Sequence, residues 1–223
     1  MDLTEKEIKL EKNNMKNVLM IGAHFDDTDL AAAGTCCKLS RRGCNVYKLV
    51  LTDNVTNFQQ KNIKVDFESS ARANEKICSI LGIEKIDFEY EKCNSLTYSS
   101  CLMQKIEKII FEKNIDTIFM HSDGDFNQDH NEAYKLCLTA SRHCDNIFLF
   151  ESNGYLKTKP FSPNYFVDIS DFIETKKKAL LEYNAAHNRF GRLFNVAIEK
   201  NHVWGYANGC EYAEAFFALK IKD

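Results

Sequence analysis

The chain has 223 residues, 44% of them hydrophobic and 27% charged, which is enough for one domain with a sizeable core and leaves little room for a second. A formal net charge of -3 gives no electrostatic case for nucleic acid or an anionic membrane as partner. Nine cysteines, with no CxxC pair among them, read as reduced packing residues in a cytoplasmic protein and not as a disulfide frame or a thiolate zinc site.

Residues 1–14, MDLTEKEIKLEKNN, lack the apolar stretch of a signal peptide and read as a flexible segment ahead of a domain over 15–223. No later run reaches the ~18 apolar residues that a membrane span needs. Lys16 to Gly22 is the first predicted strand, and Asp29 to Arg42 the first helix, stopped at Gly43. Asn45 to Leu51 is a second strand, emptying into Thr52-Asp53-Asn54. From Asn54 to Val65 the chain is polar and irregular, a loop long enough for a binding role. A helix follows over Asp66 to Leu81 and ends at Gly82, then a short strand over Lys85 to Tyr90. Ser99 to Lys113 is an amphipathic helix with Leu102, Ile106, Ile109 and Ile110 as its apolar stripe.

Asp116 to Met120 is another buried strand, followed by a polar cluster, His121 to His130, and a helix from about Asn131 to Cys144. Asn146 to Phe150 and Tyr165 to Ile169 are extended, and Asp171 to Ala186 is helical with a solvated run at Lys176, Lys177 and Lys178. Strand and helix alternate, which predicts an α/β domain with a mostly parallel, Rossmann-like sheet and helices on both faces. No GxGxxG follows the first strand, so a dinucleotide fingerprint is missing.

The chemistry concentrates at two strand exits. The first apolar strand breaks off into Ala23-His24-Phe25-Asp26-Asp27, and open α/β sheets hold ligands at that end of a strand. A catalytic metal of the zinc kind takes imidazole and carboxylate ligands, three from the protein, with a position left for water. His24 and Asp27 offer two, and His130, opening a later helix, offers the third. Asp26 would then act as base on the water. The competing reading makes Asp26 or Asp27 a helix cap with Asp29 completing an imperfect capping box, and His130 a solvent-facing residue. Asp129 is either a partner for a neighbouring imidazole or a helix-start acid.

Ala23-His24-Phe25-Asp26-Asp27 together with Asn127-Gln128-Asp129-His130 resembles the paired metal-binding motifs, AHPDD and HPDH or NxDH, of the PIG-L-like (LmbE-like) family of zinc-dependent N-acetylglucosamine deacetylases. The resemblance runs over nearly the whole chain in family order. It includes Leu51-Thr52-Asp53, then Arg72, Glu75 and Leu81-Gly82, then Phe166-Val167-Asp168-Ile169-Ser170 with Lys176, and last Tyr212-Ala213-Glu214-Ala215-Phe216. It implies a Rossmann-like fold, zinc on His24, Asp27 and His130, Asp26 as general base, and Arg72 as a contact to the sugar. It also implies an N-acetylated amino sugar or its conjugate as substrate, with acetate released. Iron(II) is the other candidate metal, because nitrogen and oxygen ligands accept both.

Two departures stand out. Phe25 replaces the usual proline, and Asn127 stands where many members have a histidine. An asparagine donates a hydrogen bond but transfers no proton at neutral pH, so its expected role is to support the oxyanion. Proton delivery to the amine then falls to Asp26, or to His121, His187 or His202. His121 has two readings, a catalytic group that polarises the carbonyl or a hydrogen-bonded residue at a strand end. Asp53, at the same sheet edge as His24, and His202, beside Trp204 in a glycine-bearing loop, are candidate substrate contacts; for His202 the alternative is a packed late loop. Two rival functions are a non-catalytic sugar- or nucleotide-binding protein of the same fold, and a phosphate-ester hydrolase, for which Arg72 is the only obvious anion partner. A homo-oligomer is compatible with this sequence, which carries no signal for it.

Overall fold

Apolar continuity over Asn17–Gly22 produces β1, whose residues after the first are all buried because helices cover both faces of the sheet. Val18 and Met20 point into one core and Leu19 and Ile21 into the other, the two-residue period of a strand. The computed structural model describes residues 15–152, 157–186 and 190–222. The expected flexible segment 1–14 and the candidate His187 lie outside them.

β1 is followed by α1 (Asp27–Arg41), β2 (Asn45–Val50), a hairpin of β3 (Thr56–Phe58) and β4 (Ile63–Val65), α2 (Phe67–Leu81) and β5 (Glu84–Lys85). Then come α3 (Ser100–Glu112), β6 (Thr117–His121), α4 (Gln128–Ala140), β7 (Asn146–Phe150), β8 (Tyr165–Asp168), α5 (Ile173–Leu181), α6 (Phe190–Asn208) and β9 (Ala213–Lys220). Seven strands form one sheet in the order β5-β2-β1-β6-β7-β9-β8. The pairs from β5 to β7 are parallel, and β9 runs antiparallel to both of its neighbours. The α/β, mostly parallel, Rossmann-like sheet is therefore the observed architecture. α1, α2, α5 and α6 cover one face, and α3 and α4 the other.

Strand order positions the site. From β1 the chain moves outward through β2 to β5, then returns to lay β6 on the other side of β1. The exits of β1 and β6 thus diverge at a topological switch point, where a crevice opens at the carboxyl ends of the strands.

Several elements differ from the sequence expectation. The loop over 54–65 folds into the β3–β4 hairpin, turned by a 3-10 segment at 59–61 and by Asn62 at φ 50°. β5 is two residues long and not six, and among the described residues it pairs with β2 alone at that sheet edge; the strand's course resumes as a single bridge between Thr52 and Glu91. The helix over Asp171 to Ala186 is divided into 3-10 segments at 170–172 and 182–185 flanking α5. Lys176, expected on a solvated face, is fully buried and ion-paired to Glu214 at 2.7 Å. Glu214 also accepts the Gly34 and Thr35 amides at 2.9 and 2.6 Å, so the pair staples β9 and α5 to the middle of α1.

The expected late loop around His202 is instead the interior of α6. Gly205 misled because it serves packing and not a turn: a Cβ there would collide with the backbone of Glu211 and Tyr212. The cysteines are free. No helix among the described residues is long and apolar enough to cross a membrane.

Candidate metal centre and catalytic cavity

β1 hands over to a tight turn. Thr52 fixes the exit by donating both its amide, at 3.0 Å, and its hydroxyl, at 2.8 Å, to the Ala23 carbonyl. The His24 amide donates to Asp27 Oδ2 at 2.7 Å, so the carboxylate folds back over the turn as α1 begins. Asp26 occupies the N-cap position of α1, but its side chain makes no capping hydrogen bond. The competing reading of Asp26 as a cap therefore fails, and its carboxylate borders the cavity.

On the neighbouring exit, Asn127 caps α4. Its Oδ1 accepts the amides of Asp129 at 2.9 Å and His130 at 3.4 Å, which starts the helix at Gln128 and not at Asn131. The cap also sets the amide orientation, because only the oxygen can accept two backbone N–H groups. The nitrogen is then the group that Asn127 offers to the cavity it lines.

The two exits bring three donors together. His24 Nδ1 lies 3.2 Å from His130 Nε2 and 3.3 Å from Asp27 Oδ2, and His130 Nε2 lies 3.2 Å from Asp27 Oδ1. Ligands at 2.0–2.1 Å from one tetrahedral ion stand about 3.3–3.4 Å apart, so the spacing fits zinc. The set of two imidazoles and one carboxylate suits zinc or iron(II). The outer nitrogens of both rings face carboxylates: His24 Nε2 lies 3.2 Å from Asp129 Oδ2, and His130 Nδ1 lies 3.0 Å from Asp125 Oδ2. Such carboxylate partners orient a ligating imidazole and raise its basicity.

These carboxylates are themselves anchored. Asp129 accepts the Asn94 amide at 2.6 Å and the Leu96 amide at 3.1 Å, and Asp125 accepts the Asn127 amide at 2.8 Å. Asp129 is thus a partner for an imidazole, one of the two readings its position allowed. Asp125 was missed from sequence; its signal was a carboxylate five residues before the ligand, in the same polar strand exit.

The electrostatics follow from burial. Desolvation pulls the His130 imidazole down, but Asp27 and Asp125 outweigh it and lift the ring to about 9. His24 is raised well above the ordinary range by Asp27 and Asp129, against the same burial. Burial pushes Asp27 up, and three imidazoles more than reverse this, holding its carboxyl well below the carboxylate range.

His121 stacks on His130 with ring centroids 4.2 Å apart, and its Nε2 lies 3.1 Å from both Asp27 Oδ2 and the Ala23 amide nitrogen. It is 2% exposed and sits behind Asp27, off the cavity wall. Burial and the His130 charge lower it to about 4, leaving it neutral near pH 7. It thus lies against Asp27 and outside the cavity lining, the position of a hydrogen-bonded residue at a strand end.

The cavity has a volume of about 410 Å³. His24, Asp26, Asp27, His130 and Asn127 form its floor, and the β3–β4 hairpin contributes Thr56, Asn57, Phe58, Ile63 and Val65 to its wall. Asn54, Cys93, Asn94 and Leu193 complete the lining among the described residues. Three expected substrate contacts fall elsewhere. Arg72 is exposed on α2, pairing with Glu68 and Ser69. His202 is exposed on α6 with its ring 5.4 Å from that of Tyr212. Asp53 is half-buried and accepts the Cys93 and Val55 amides at 3.0 and 3.1 Å, which ties its own loop to that of Cys93.

The family model for GlcNAc-PI de-N-acetylase, PIG-L, matches residues 19–141, more than half of the chain and both strand exits. This chain belongs to the PIG-L family. Diacetylchitobiose deacetylase of Thermococcus kodakarensis is 26% identical over 196 residues, covering 80% of this chain and 73% of the relative. The N,N'-diacetylchitobiose deacetylase structure from Pyrococcus horikoshii superposes with a TM-score of 0.78 at 20% identity, covering 98% of this chain and 94% of that one. GalB, the 4-carboxy-2-hydroxymuconate hydratase of Pseudomonas putida, has the same fold at a TM-score of 0.73 and 16% identity, covering 94% of this chain and 98% of that one. The PIG-L fold therefore leaves the reaction to be argued from the site.

Proposed function

We propose that this chain is a metal-dependent hydrolase that removes the acetyl group from an N-acetylated amino sugar or its conjugate and releases acetate. The observation that carries the reading is the convergence of His24 Nδ1, the Asp27 carboxylate and His130 Nε2 on the floor of a cavity that Asp26 also borders. His24, Asp27 and His130 would hold zinc, or iron(II), and such an ion supplies Lewis acidity, lowering the pKa of water towards ~7 and polarising a carbonyl oxygen.

The residues of the chain do the rest. Asp26 accepts the proton of the water as its oxygen adds to the acetamide carbon. The Asn127 amide nitrogen donates to the carbonyl oxygen as negative charge builds there, a contribution typically of ~10²–10³ in rate. When the C–N bond breaks, Asp26 returns the proton it accepted to the amine nitrogen, since Asn127 has none to give. Asp125 and Asp129 hold the two imidazoles in their ligating orientation. The wall suits a sugar, with Phe58, Ile63 and Val65 for an apolar ring face and the amides of Asn54, Asn57 and Asn94 for hydroxyl groups. Free cysteines favour a reducing compartment such as the cytoplasm.

The test is acetate release from a panel of N-acetyl amino sugars and their glycoside, nucleotide and lipid conjugates, with metal-loaded protein. Release that disappears with Asp26→Asn supports the reading. A chain that binds one ion and panel sugars but releases no acetate would be a binding protein, and the proposal would fall.

A further inference from the structure

The loop over residues 91–96 brings a thiol to the catalytic cavity that the proposed hydrolysis does not use. Cys93 Sγ, a ring nitrogen of His24 and a carboxylate oxygen of Asp129 lie within 4.8 Å of one another, a second donor set that has only His24 in common with the set of His24, Asp27 and His130. Within it, His24 Nε2 and Asp129 Oδ2 stand 3.2 Å apart, again close to the edge of a tetrahedral zinc site. His24 and Asp129 are buried, while Cys93 is half-buried and lines the cavity with His24, so an ion has a way in.

The loop is tied on both sides of the thiol. The Cys93 amide donates to Asp53 Oδ1 at 3.0 Å and the Asn94 amide to Asp129 Oδ2 at 2.6 Å, with Asn94 in the left-handed region at φ 63°. Sγ also lies 3.6 Å from the Thr56 hydroxyl of the hairpin. Three separate segments thus present sulfur, nitrogen and oxygen to one point.

We propose that Cys93, His24 and Asp129 form a second, sulfur-containing metal site that shares the His24 ring with the first. His24 Nδ1 serves the first site and Nε2 the second. An ion entering the second site displaces the thiol proton and the proton between Nε2 and Asp129, both to solvent, with no change of oxidation state. The two sites differ in softness: nitrogen and carboxylate ligands alone accept hard and borderline ions, whereas a thiolate favours thiophilic ones such as cadmium and borderline ones such as cobalt(II) and zinc. The inference rests on the proposed reading only for the identity of the first site.

Cobalt(II) titration of the full chain tests it, with equilibrium dialysis for stoichiometry and absorption for sulfur-to-cobalt charge transfer. The expected result is two ions per chain, with the sulfur band growing only as the second binds, and one ion with no band in Cys93→Ser. One ion per chain without a sulfur band overturns the second site, and so does a band that persists in Cys93→Ser. A sulfur band on the first equivalent overturns the two-site scheme by putting Cys93 in the primary site. Loss of the first binding step would instead strike the proposed function, and because the spectra need no substrate the two failures are distinguishable.

Discussion

Lys48 Nζ lies 2.8 Å from the carbonyl oxygen of Phe25, the residue that separates the candidate ligand His24 from the candidate base Asp26. The ammonium also pairs with Asp29 at 2.5 Å, and the Tyr183 hydroxyl lies 2.6 Å from the same carbonyl and 2.7 Å from Asp29. All three side chains are fully buried, so β2, α1 and the 3-10 segment at 182–185 grip the catalytic turn from behind. Lys48→Met leaves Asp29 as a buried charge without its ammonium partner, which typically costs about 3–5 kcal/mol. Denaturant unfolding should show that loss, and Lys48→Met with Asp29→Leu together should show a smaller one. An unchanged midpoint for the single variant would refute the role of this network.

Asp26→Asn preserves size and hydrogen bonding but removes the base. Acetate release should fall by ~10²–10⁴ while metal content stays at the wild-type level. A variant that keeps its rate would move the base elsewhere.

Asp125→Asn removes the carboxylate behind His130. In the wild-type chain burial raises Asp125, and His130, with smaller help from the Asn127 amide and Lys157, more than offsets this and brings it down to about 2. The substitution should weaken metal affinity by about 10–100-fold in a chelator competition. Unaltered affinity would make the contact incidental.

Asn127 carries two roles that two substitutions separate. Asn127→Asp keeps an oxygen to cap α4 and loses the donor, so the melting temperature should hold while kcat falls by ~10²–10³. Asn127→Ala loses both and should also cost about 1 kcal/mol of stability. Equal kcat in wild type and Asn127→Asp would remove the oxyanion role.

Metal uptake should release protons. Without metal, Asp27 and Asp125 lift the His130 ring to about 9 against its burial, so it carries an extra proton near neutrality, and Asp27 and Asp129 raise His24 in the same direction. His130 must lose that proton to become a ligand, so affinity falls as pH drops below about 9 and rises as pH climbs towards it. Calorimetry in buffers of different ionisation enthalpy should find roughly one to two protons released per ion at pH 7. Buffer-independent heats would contradict the assigned ligands.

Much of this was legible in the chain itself. A buried apolar run that stops at His24, Asp26 and Asp27, and a second that stops ahead of His130, carry their chemistry in local order, because strand burial and strand exit both show in hydropathy. Alternation of strand and helix determined the parallel sheet, and that sheet has its crevice at such exits. The first helix stop was equally local: Gly43 follows α1 at φ 86°.

Contacts across the fold were decided only by the tertiary structure. Hydropathy shows that Lys48 is in a strand, but not that its alternation places it with Val46 and Val50 on the α1 face opposite Asp29. Arg72 and His202 had suitable chemistry, yet helix phase turned both outward, while Asp125 and Cys93 reached the imidazoles through loops whose course no periodicity encodes. A sequence pattern specifies which side chains seek burial or a polar partner. Which partner each one meets depends on strand register and loop path, and those are set by the packing of the whole domain.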